Sequence, residues 1–208
     1  EKYDLKSLKM ITYGTEPMPE SLLLRLKVLF PRTKLLQTFG TSETGIAAMR
    51  SKSSSSTYMK FDDPSFEYRI VNDELWLKSK VQTLGYLNSS MESFTDDGWF
   101  RTGDIVKVTN DGYIKLVGRS REIINVGGEK VLPSEVESVL LSMDIIDDVM
   151  VYGDPNIITG QTVACDVVFN IDIDKKKGKK LIREFCIGKL DNFKIPSKIK
   201  LVNQTIYS

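Results

Sequence analysis

The chain has 208 residues, which is enough for one large or two small domains that each bury a hydrophobic core. Its 29 lysines and arginines nearly balance its 28 aspartates and glutamates, so a net charge of +1 provides no general attraction for nucleic acid or a membrane surface. The absence of histidine, with only two cysteines, Cys165 and Cys186, argues against a zinc site and leaves Mg²⁺, held by carboxylates and phosphates, as the expected divalent cation.

The amino-terminal segment predicts a β-α-β unit with parallel strands. "LKMITYG" is typical of a strand that stops at Gly14, and "TKLLQTFG" of a second strand. Between them, "PESLLLRLKVLF" predicts a helix that Pro19 opens and Pro31 closes. The strand ends and the loop "GTSETG" should lie together at the carboxyl edge, where open α/β sheets bind ligands. The apolar face predicted for the helix consists of Leu22, Leu23, Leu26, Leu29 and Phe30.

From Tyr58 to Gly118 the pattern changes to short alternating runs, "FEYRIV", "ELWLKS", "WFRTGDIVKVT" and "GYIKLVG". Between them stand "ND", "DDG" and "NDG", which are strong hairpin signals. The segment therefore predicts a small antiparallel sheet or barrel. The serine run from Ser53 to Ser56 predicts a flexible loop before it.

After Arg121 the sequence predicts a compact α+β unit. Ile123 and Ile124 indicate a short strand, and "PSEVESVLLSM" a helix with N-terminal signals in its proline and serine. The strands "DDVMVYG" and "TVACDVVFN", the helix "LIREFCIGKL" and the strand "KIKLVN" follow. The lysine run from Lys175 to Lys180 stands at the entry of that last helix, where a solvated face is favoured over a phosphate or nucleic-acid patch. The overall fold class is thus α/β plus α+β.

The stretch "QTFGTSETG" places an aromatic residue before a loop of glycine, small hydroxyls and an acid. Phe39 could stack on a purine, Thr41 and Ser42 could donate to phosphate oxygens, and Glu43 could hold Mg²⁺. The alternative is a loop capped by its own hydroxyl side chains, with Glu43 in solvent.

Two further stretches carry candidate site residues. In "DDGWFRTGDIVKV", Asp104 would stand at the end of a hairpin strand and accept hydrogen bonds from two ribose hydroxyls, unless it is simply a turn aspartate. In "GRSREIINVGGEKVLPSEVE", Arg119 could bridge a ribose and its phosphate. The pair Gly127 and Gly128 either forms a simple hairpin turn or lets a ligand or another chain come close.

These stretches, in this order, resemble the carboxyl-terminal part of the adenylate-forming enzymes, which include acyl-CoA and aryl-CoA synthetases, nonribosomal adenylation domains and firefly luciferase. The motif "ITYGTEPMP" resembles the adenine-contact strand of the family, "QTFGTSETG" its aromatic-Gly-x-Thr-Glu motif, and "GWFRTGD" its ribose-binding motif. "GRSREIINVGGEKVLPSEVE" resembles its hinge and the loop that follows. The resemblance extends from about Leu8 to Val202.

The resemblance implies a role for each matching residue. Ser42, where the family usually has threonine, would contact the α-phosphate. Glu43 would be the magnesium-associated acid and, with Ser42, catalytic. Asp104 would accept from the ribose hydroxyls, with Arg119 as its partner. Gly14, Thr15, Glu16 and Phe39 would line the adenine pocket, and Gly40 and Thr41 would be further cofactor-binding residues.

The resemblance also implies a domain division. Residues 1–118 would be the carboxyl-terminal part of the large domain, with a β-α-β remnant at 1–50 and a β-rich subdomain at 57–118. Residues 119–208 would form a mobile α+β domain with a hinge at 119–121, where Arg121 matches the hinge residue. The loop at Gly127 and Gly128 would swing towards the active site after adenylation and line the path of the thiol.

By this resemblance the parent protein is expected to be an AMP-forming ligase that uses ATP and Mg²⁺ to join a small carboxylic acid to coenzyme A. Alternatives are an adenylation domain that loads the pantetheine of a carrier protein and a non-catalytic interaction module. The family's phosphate-binding loop would precede Glu1, and "LVNQTIYS" lacks the usual Leu-Pro and stops short of the family's lysine. We therefore expect a fragment that is inactive alone. No signal-like segment or hydrophobic run near the roughly 20 residues of a membrane helix is present, which predicts a cytoplasmic protein without a membrane span.

Overall fold

The structure is a computed structural model that describes residues 3–203. The segment "QTIYS", on which the expected lack of the family's Leu-Pro and lysine depends, lies outside the described residues. The chain divides into two compact units with the boundary between Ser120 and Arg121. Each unit is described separately below.

The first unit begins with the predicted β-α-β unit. Strands β1 (Met10–Tyr13) and β2 (Lys34–Gln37) pair in parallel, and helix α1 (Glu20–Leu29) connects them. Of the residues predicted for the apolar face, Leu23 is buried and Leu26 and Phe30 are partly buried, whereas Leu22 and Leu29 are 41% and 68% exposed.

The loop predicted after β2 is instead a short hairpin. Strands β3 (Phe39–Thr41) and β4 (Gly45–Ala47) pair antiparallel, with Gly40 opposite Ile46. Ser42, Glu43 and Thr44 form the turn between them. The hairpin fixes the backbone on both sides of this turn, which carries two of the predicted catalytic residues.

The predicted antiparallel sheet has six strands in the order β5-β6-β10-β9-β8-β7. It begins before the serine run, which joins the antiparallel neighbours β5 and β6 in a hairpin. Asn72 and Asp73 turn the chain between β7 and β8 with φ angles of 52° and 66°, the left-handed backbone that such tight hairpins use. The strands are β5 (Met49–Ser51), β6 (Met59–Phe61), β7 (Phe66–Val71), β8 (Glu74–Ser79), β9 (Phe100–Val108) and β10 (Ile114–Arg119).

One buried cluster supports this sheet. Alternation along each strand directs every second side chain to the same face, and these side chains pack into a single apolar layer. Aromatic rings extend the layer at its edge, where Phe61 stacks on Tyr68 with ring centroids 4.9 Å apart. The buried members of the cluster are Phe39, Met59, Leu75, Leu77, Val106 and Ile114.

The second unit is a mixed sheet with helices, as predicted. The strands follow the order β12-β11-β14-β13, and β15 pairs in parallel with β14. Helix α2 begins with Pro133 in its first turn. The elements are β11 (Ile124–Val126), β12 (Glu129–Val131), α2 (Pro133–Leu140), β13 (Ile146–Asn156), β14 (Gly160–Phe169), α3 (Lys175–Cys186) and β15 (Lys198–Leu201).

Helix α3 differs from its prediction at both ends. It begins at Lys175 and ends at Cys186, so the lysine run forms its first turns instead of preceding it. The carboxylate of Asp174 caps the helix by accepting hydrogen bonds from the backbone N–H groups of Lys176 and Lys177 at 3.0 Å. Ile182 of α3 is fully buried in the core of the second unit, which leaves the lysines on the outer side. The predicted fold class, α/β plus α+β, is confirmed.

Candidate active site

The parallel pairing of β1 and β2 brings two predicted motifs together. The backbone N–H of Thr38 donates to the carbonyl of Tyr13 at 2.8 Å, so the residues that follow each strand are neighbours. A Cβ atom on Gly14 would lie 2.6 Å from Thr38 Oγ1 and 2.8 Å from its carbonyl oxygen, and no larger residue fits there without a shift. Thr15 follows with φ of 69° and donates its hydroxyl to the Gly14 carbonyl at 2.6 Å. Glu16 is exposed beside it.

The β3-β4 hairpin presents its turn residues in different ways. Ser42 is exposed. The Thr41 hydroxyl accepts from the backbone N–H of Thr44 at 3.1 Å, and the hydroxyls of Thr41 and Thr44 share a hydrogen bond of 2.9 Å. Thr41 is therefore a turn-forming residue, and its hydroxyl hydrogen is available to a phosphate when Thr44 is the donor of the shared bond. A Cβ atom on Gly40 would lie 2.7 Å from the Gly45 carbonyl oxygen, so the narrow hairpin requires glycine at that position.

Phe39 is a core residue. Its side chain is 7% exposed, and its ring packs edge-on against Phe61 with centroids 6.1 Å apart. The sequence predicted a ring face available to a purine. The structure limits any such contact to the small exposed part of the ring, because the alternation of β3 directs Phe39 into the buried cluster.

Glu43 is held by a residue that sequence reasoning missed. The Tyr86 hydroxyl donates to Glu43 Oε1 at 2.5 Å, and the backbone N–H of Thr83 donates to the Glu43 carbonyl at 2.8 Å. The hydrogen bond to Glu43, followed by burial, raises the pKa of Tyr86. Glu43 is thus fixed by a partner instead of lying free in solvent. No local pattern signals a contact between two side chains so far apart in sequence.

The donor set around Glu43 fits Mg²⁺ only together with a nucleotide. Within residues 3–203 no group of three acidic or cysteine side chains could hold a metal ion. Mg²⁺ is commonly bound by one or two carboxylates, substrate phosphates and water, and a single partly buried carboxylate such as Glu43 meets the protein's share of that arrangement.

Asp104 does not stand at the end of a strand, and that part of the prediction was wrong. It lies inside β9, is 8% exposed, and pairs across the ladder with Arg119 of β10. Arg119 Nε is 3.4 Å from Asp104 Oδ1, and the two side chains are 45% and 11% exposed. Gly103, which suggested the end of a strand, instead forms an irregularity within it with φ of 74°.

Strand β8 holds this irregularity through two contacts that the sequence did not reveal. The backbone N–H of Gly103 donates to Glu74 Oε1 at 2.9 Å. The Thr102 hydroxyl donates to the Leu75 carbonyl at 2.7 Å and accepts from the backbone N–H of Asp104 at 3.0 Å. The sequence signal for these contacts was the hairpin pattern that joins "ELWLKS" to "WFRTGDIVKVT", because paired strands place such segments side by side.

In the second unit, Arg121 lies exposed in the short 3₁₀ turn Ser120–Glu122. Gly127 and Gly128 form the turn between β11 and β12 with φ angles of 60° and 94°, so the hairpin-turn alternative describes their backbone. The backbone N–H of Gly127 donates to the Thr159 carbonyl at 2.9 Å. A Cβ atom on Gly128 would meet nothing within 4 Å, so the turn has open space beside it.

Other features lie apart from these residues. Both cysteines are buried and free, and burial raises the pKa of Cys165 to about 12. In the described part of the chain no helix has the length and apolar character needed to cross a membrane. A surface depression of about 520 Å³ is lined by Glu92, Phe94, Thr95, Asp96, Asp97 and Arg101, and one of about 370 Å³ by Lys176, Lys179, Lys180, Arg183, Glu184 and Ile187. None of the predicted site residues lines either.

Residues 135–206 match the family model described as the AMP-binding enzyme C-terminal domain. Acyl-CoA synthetase 7 of Caenorhabditis elegans is 29% identical over 219 residues, which cover 98% of this chain and 40% of the relative. The oxalate–CoA ligase of Saccharomyces cerevisiae is 36% identical over 139 residues, covering 63% of this chain and 24% of the relative. The chain therefore spans less than half the length of these relatives.

The fold also matches solved structures. The crystal structure of an anthranilate CoA ligase in complex with anthranoyl-AMP aligns with a TM-score of 0.82 over 100% of this chain and 43% of that chain. The sequence identity is 22%, so this likeness shows the fold alone.

Proposed function

We propose that the parent of this chain is an AMP-forming acid–thiol ligase of the adenylate-forming superfamily, because residues 135–206 match the AMP-binding enzyme C-terminal domain and the chain is 29% identical to an acyl-CoA synthetase. The names of its relatives, an acyl-CoA synthetase and an oxalate–CoA ligase, support this reaction class. The observation that carries the proposal is the Asp104 carboxylate, which lies 3.4 Å from Arg119 Nε in the segment that resembles the family's ribose motif. The proposal concerns the whole protein, because this chain spans 40% of the length of its nematode relative.

The reaction has two steps. In the first, a carboxylate oxygen of the acid attacks the α-phosphorus of ATP, the bond to the β-phosphate oxygen breaks, and pyrophosphate leaves with the electron pair. In the second, a thiol sulfur attacks the acyl carbon, AMP leaves, and the thiol proton passes to solvent or a base. Both steps require the nucleotide to be held in one orientation while the acyl group changes partner.

The first unit would hold the nucleotide. Asp104 accepts hydrogen bonds from the two ribose hydroxyls, because a carboxylate has two oxygens and only accepts. Arg119, half exposed and 3.4 Å from Asp104 Oδ1, orients that carboxylate and would also bind a phosphate oxygen. Ser42 offers an exposed hydroxyl to the α-phosphate. The adenine would lie against the segment Gly14 to Glu16 and the small exposed part of the Phe39 ring.

Glu43 would bind Mg²⁺ together with the phosphate oxygens of ATP. The bound ion supplies positive charge that offsets the negative charge of the phosphates. Tyr86 supports this role, since its hydroxyl holds one carboxylate oxygen of Glu43 at 2.5 Å. The protein's part is therefore to place one acid at a defined point of the β3-β4 turn.

The second unit would serve the thiol step. Since β10 ends at Arg119 and the two units divide between Ser120 and Arg121, we assign residues 1–120 to the large domain and 121–208 to a mobile domain, with Arg121 at the hinge. The turn at Gly127 and Gly128 would line the thiol path, and the open space beside Gly128 suits that role. Coenzyme A is the favoured thiol because two relatives are named as CoA-dependent ligases or synthetases, and the pantetheine of a carrier protein is the alternative.

The test uses the full protein encoded by the gene and a panel of carboxylic acids. Acid-dependent exchange of labelled pyrophosphate into ATP reports the first step, and thioester formation with coenzyme A or a pantetheine-bearing carrier protein reports the second. We expect exchange with at least one acid, and Ser42→Ala should lower it while leaving the fold unchanged. If the full-length protein is folded but shows no pyrophosphate exchange with any acid of the panel, the interaction-module alternative is favoured.

A further inference from the structure

We propose that Glu74 is a positioning residue for Asp104, acting through the backbone N–H of Gly103. This inference rests on the proposed function, because it concerns how the ribose-reading carboxylate is oriented. Glu74 is the first residue of β8, and its Oε1 atom accepts the Gly103 N–H at 2.9 Å. Glu74 would not touch the nucleotide itself.

The contact answers a need created by the strand irregularity. The β8-β9 ladder pairs Glu74 with Ile105 and Trp76 with Arg101, and its register shifts between these two pairs. Gly103 lies in the shifted segment with φ of 74°, which turns its N–H out of the regular ladder. A partly buried N–H that lacks a partner is costly, and a charged acceptor gives a stronger hydrogen bond than a neutral one.

Thr102 and the preceding turn complete the support around Asp104. The Thr102 hydroxyl links the Leu75 carbonyl to the Asp104 N–H, at 2.7 and 3.0 Å. The backbone N–H of Val106 donates to the Asp73 carbonyl at 2.8 Å. The residues on both sides of Asp104 are thus tied to the start of β8, and Glu74 is the one side-chain carboxylate in this set of contacts.

The orientation of Asp104 matters because two ribose hydroxyls must meet two carboxylate oxygens at once. A shift of the backbone at Gly103 would rotate the Asp104 carboxylate away from one of them. Such displacement weakens binding of ribonucleotides more than that of 2′-deoxynucleotides, since the latter have one hydroxyl fewer to lose. Discrimination between the two therefore reports the orientation of Asp104, whereas a general loss of stability does not alter it.

The experiment compares Glu74→Ala, Glu74→Gln and a matched control, Glu67→Ala, in the full protein. Glu67 is an exposed glutamate on the adjacent strand β7, where it stands opposite Lys78. Hydrogen exchange is followed by mass spectrometry on peptides that contain Gly103. Affinities for AMP and 2′-deoxy-AMP are measured by calorimetry, so the readout does not depend on turnover.

We expect Glu74→Ala to speed hydrogen exchange at Gly103. It should weaken AMP binding by about tenfold to hundredfold, as displacement of a positioned group does. It should also reduce the preference for AMP over 2′-deoxy-AMP. Glu74→Gln, which keeps an acceptor oxygen, should restore most of that preference. Glu67→Ala should behave like the unsubstituted protein. Unchanged exchange at Gly103, or unchanged preference in Glu74→Ala, overturns the proposal. If the unsubstituted protein binds AMP but exchanges no pyrophosphate, the ligase proposal fails while the positioning of Asp104 is still decided by these measurements.

Discussion

Replacing Asp104 by alanine in the full protein separates a ribose-binding role from a structural one. If Asp104 accepts both ribose hydroxyls, the variant loses two hydrogen bonds to a charged group, each contributing about 1.5 to 3 kcal/mol. At 1.36 kcal/mol per factor of ten, kcat/KM for adenylation should fall by about two to four decades. Acid-dependent pyrophosphate exchange measures this fall directly.

The cost to stability can be bounded from the ion pair with Arg119. Asp104 is 8% exposed, but the Arg119 side chain is 45% exposed and remains hydrated when its partner is lost. Pairs of this kind contribute about 0 to 1 kcal/mol, so we expect the free energy of unfolding to fall by about 1 kcal/mol and the variant to stay folded. Urea denaturation followed by tryptophan fluorescence measures this change.

The substrate 2′-deoxy-ATP supplies the decisive comparison. The unsubstituted protein should prefer ATP strongly, and Asp104→Ala should lose most of that preference because its partner for the hydroxyl is gone. Asp111→Ala is the control, since Asp111 is a turn aspartate that is 53% exposed and accepts from Thr109. If Asp104→Ala discriminates as strongly as the unsubstituted protein, Asp104 does not read the ribose and the site assignment fails.

Further predictions concern the glycine turn of the second unit, the buried cysteines and the two hydrophobic cores. Gly128→Val should reduce thioester formation without reducing pyrophosphate exchange. The control Gly188→Val, at an equally open position with φ of 76°, should leave both steps unchanged. Equal loss of both steps in Gly128→Val would contradict the thiol-path role. Because burial raises the pKa of Cys165 from 9.0 to about 12, the folded state keeps a proton that the unfolded state loses, so the free energy of unfolding should fall as the pH rises from about 9 towards 12. A thiol reagent should also react with neither cysteine until urea is added, and full labelling of the native chain would contradict this. Leu77→Ala and Ile182→Ala each remove a fully buried side chain, one in each unit, and should each lower the free energy of unfolding by about 2 to 5 kcal/mol in urea denaturation. A decrease below about 1 kcal/mol in either variant would show that its site is loosely packed.

Much of the fold could be predicted because its signals are local. The strands "FEYRIV" and "ELWLKS" alternate in polarity, and the Asn72-Asp73 turn between them favours left-handed backbone, so pattern and turn agree. The start of α3 was missed for the opposite reason. A run of lysines resembles a solvated loop, and the cap that begins the helix is a single aspartate, Asp174, placed before them.

The candidate site was predicted less completely because its geometry depends on contacts between distant segments. Gly103 was interpreted as the end of a strand, whereas the strand continues through it with positive φ and buries Asp104. Tyr86 reaches Glu43, and Glu74 reaches Gly103, only after separate strands have paired. The sequence motifs identify which residue types are present, but these cross-strand partners determine how they are oriented.

The hydrogen bond between Gly127 and Thr159 has a consequence for how this protein can vary during evolution. It joins the tips of two hairpins, and the pairing of Val126 with Gly160 continues the same contact. A residue inserted into either tip would displace one partner and leave a backbone N–H without an acceptor. We therefore expect insertions and deletions at 127–128 and at 157–160 to occur together among homologues, so that two segments far apart in sequence covary in length.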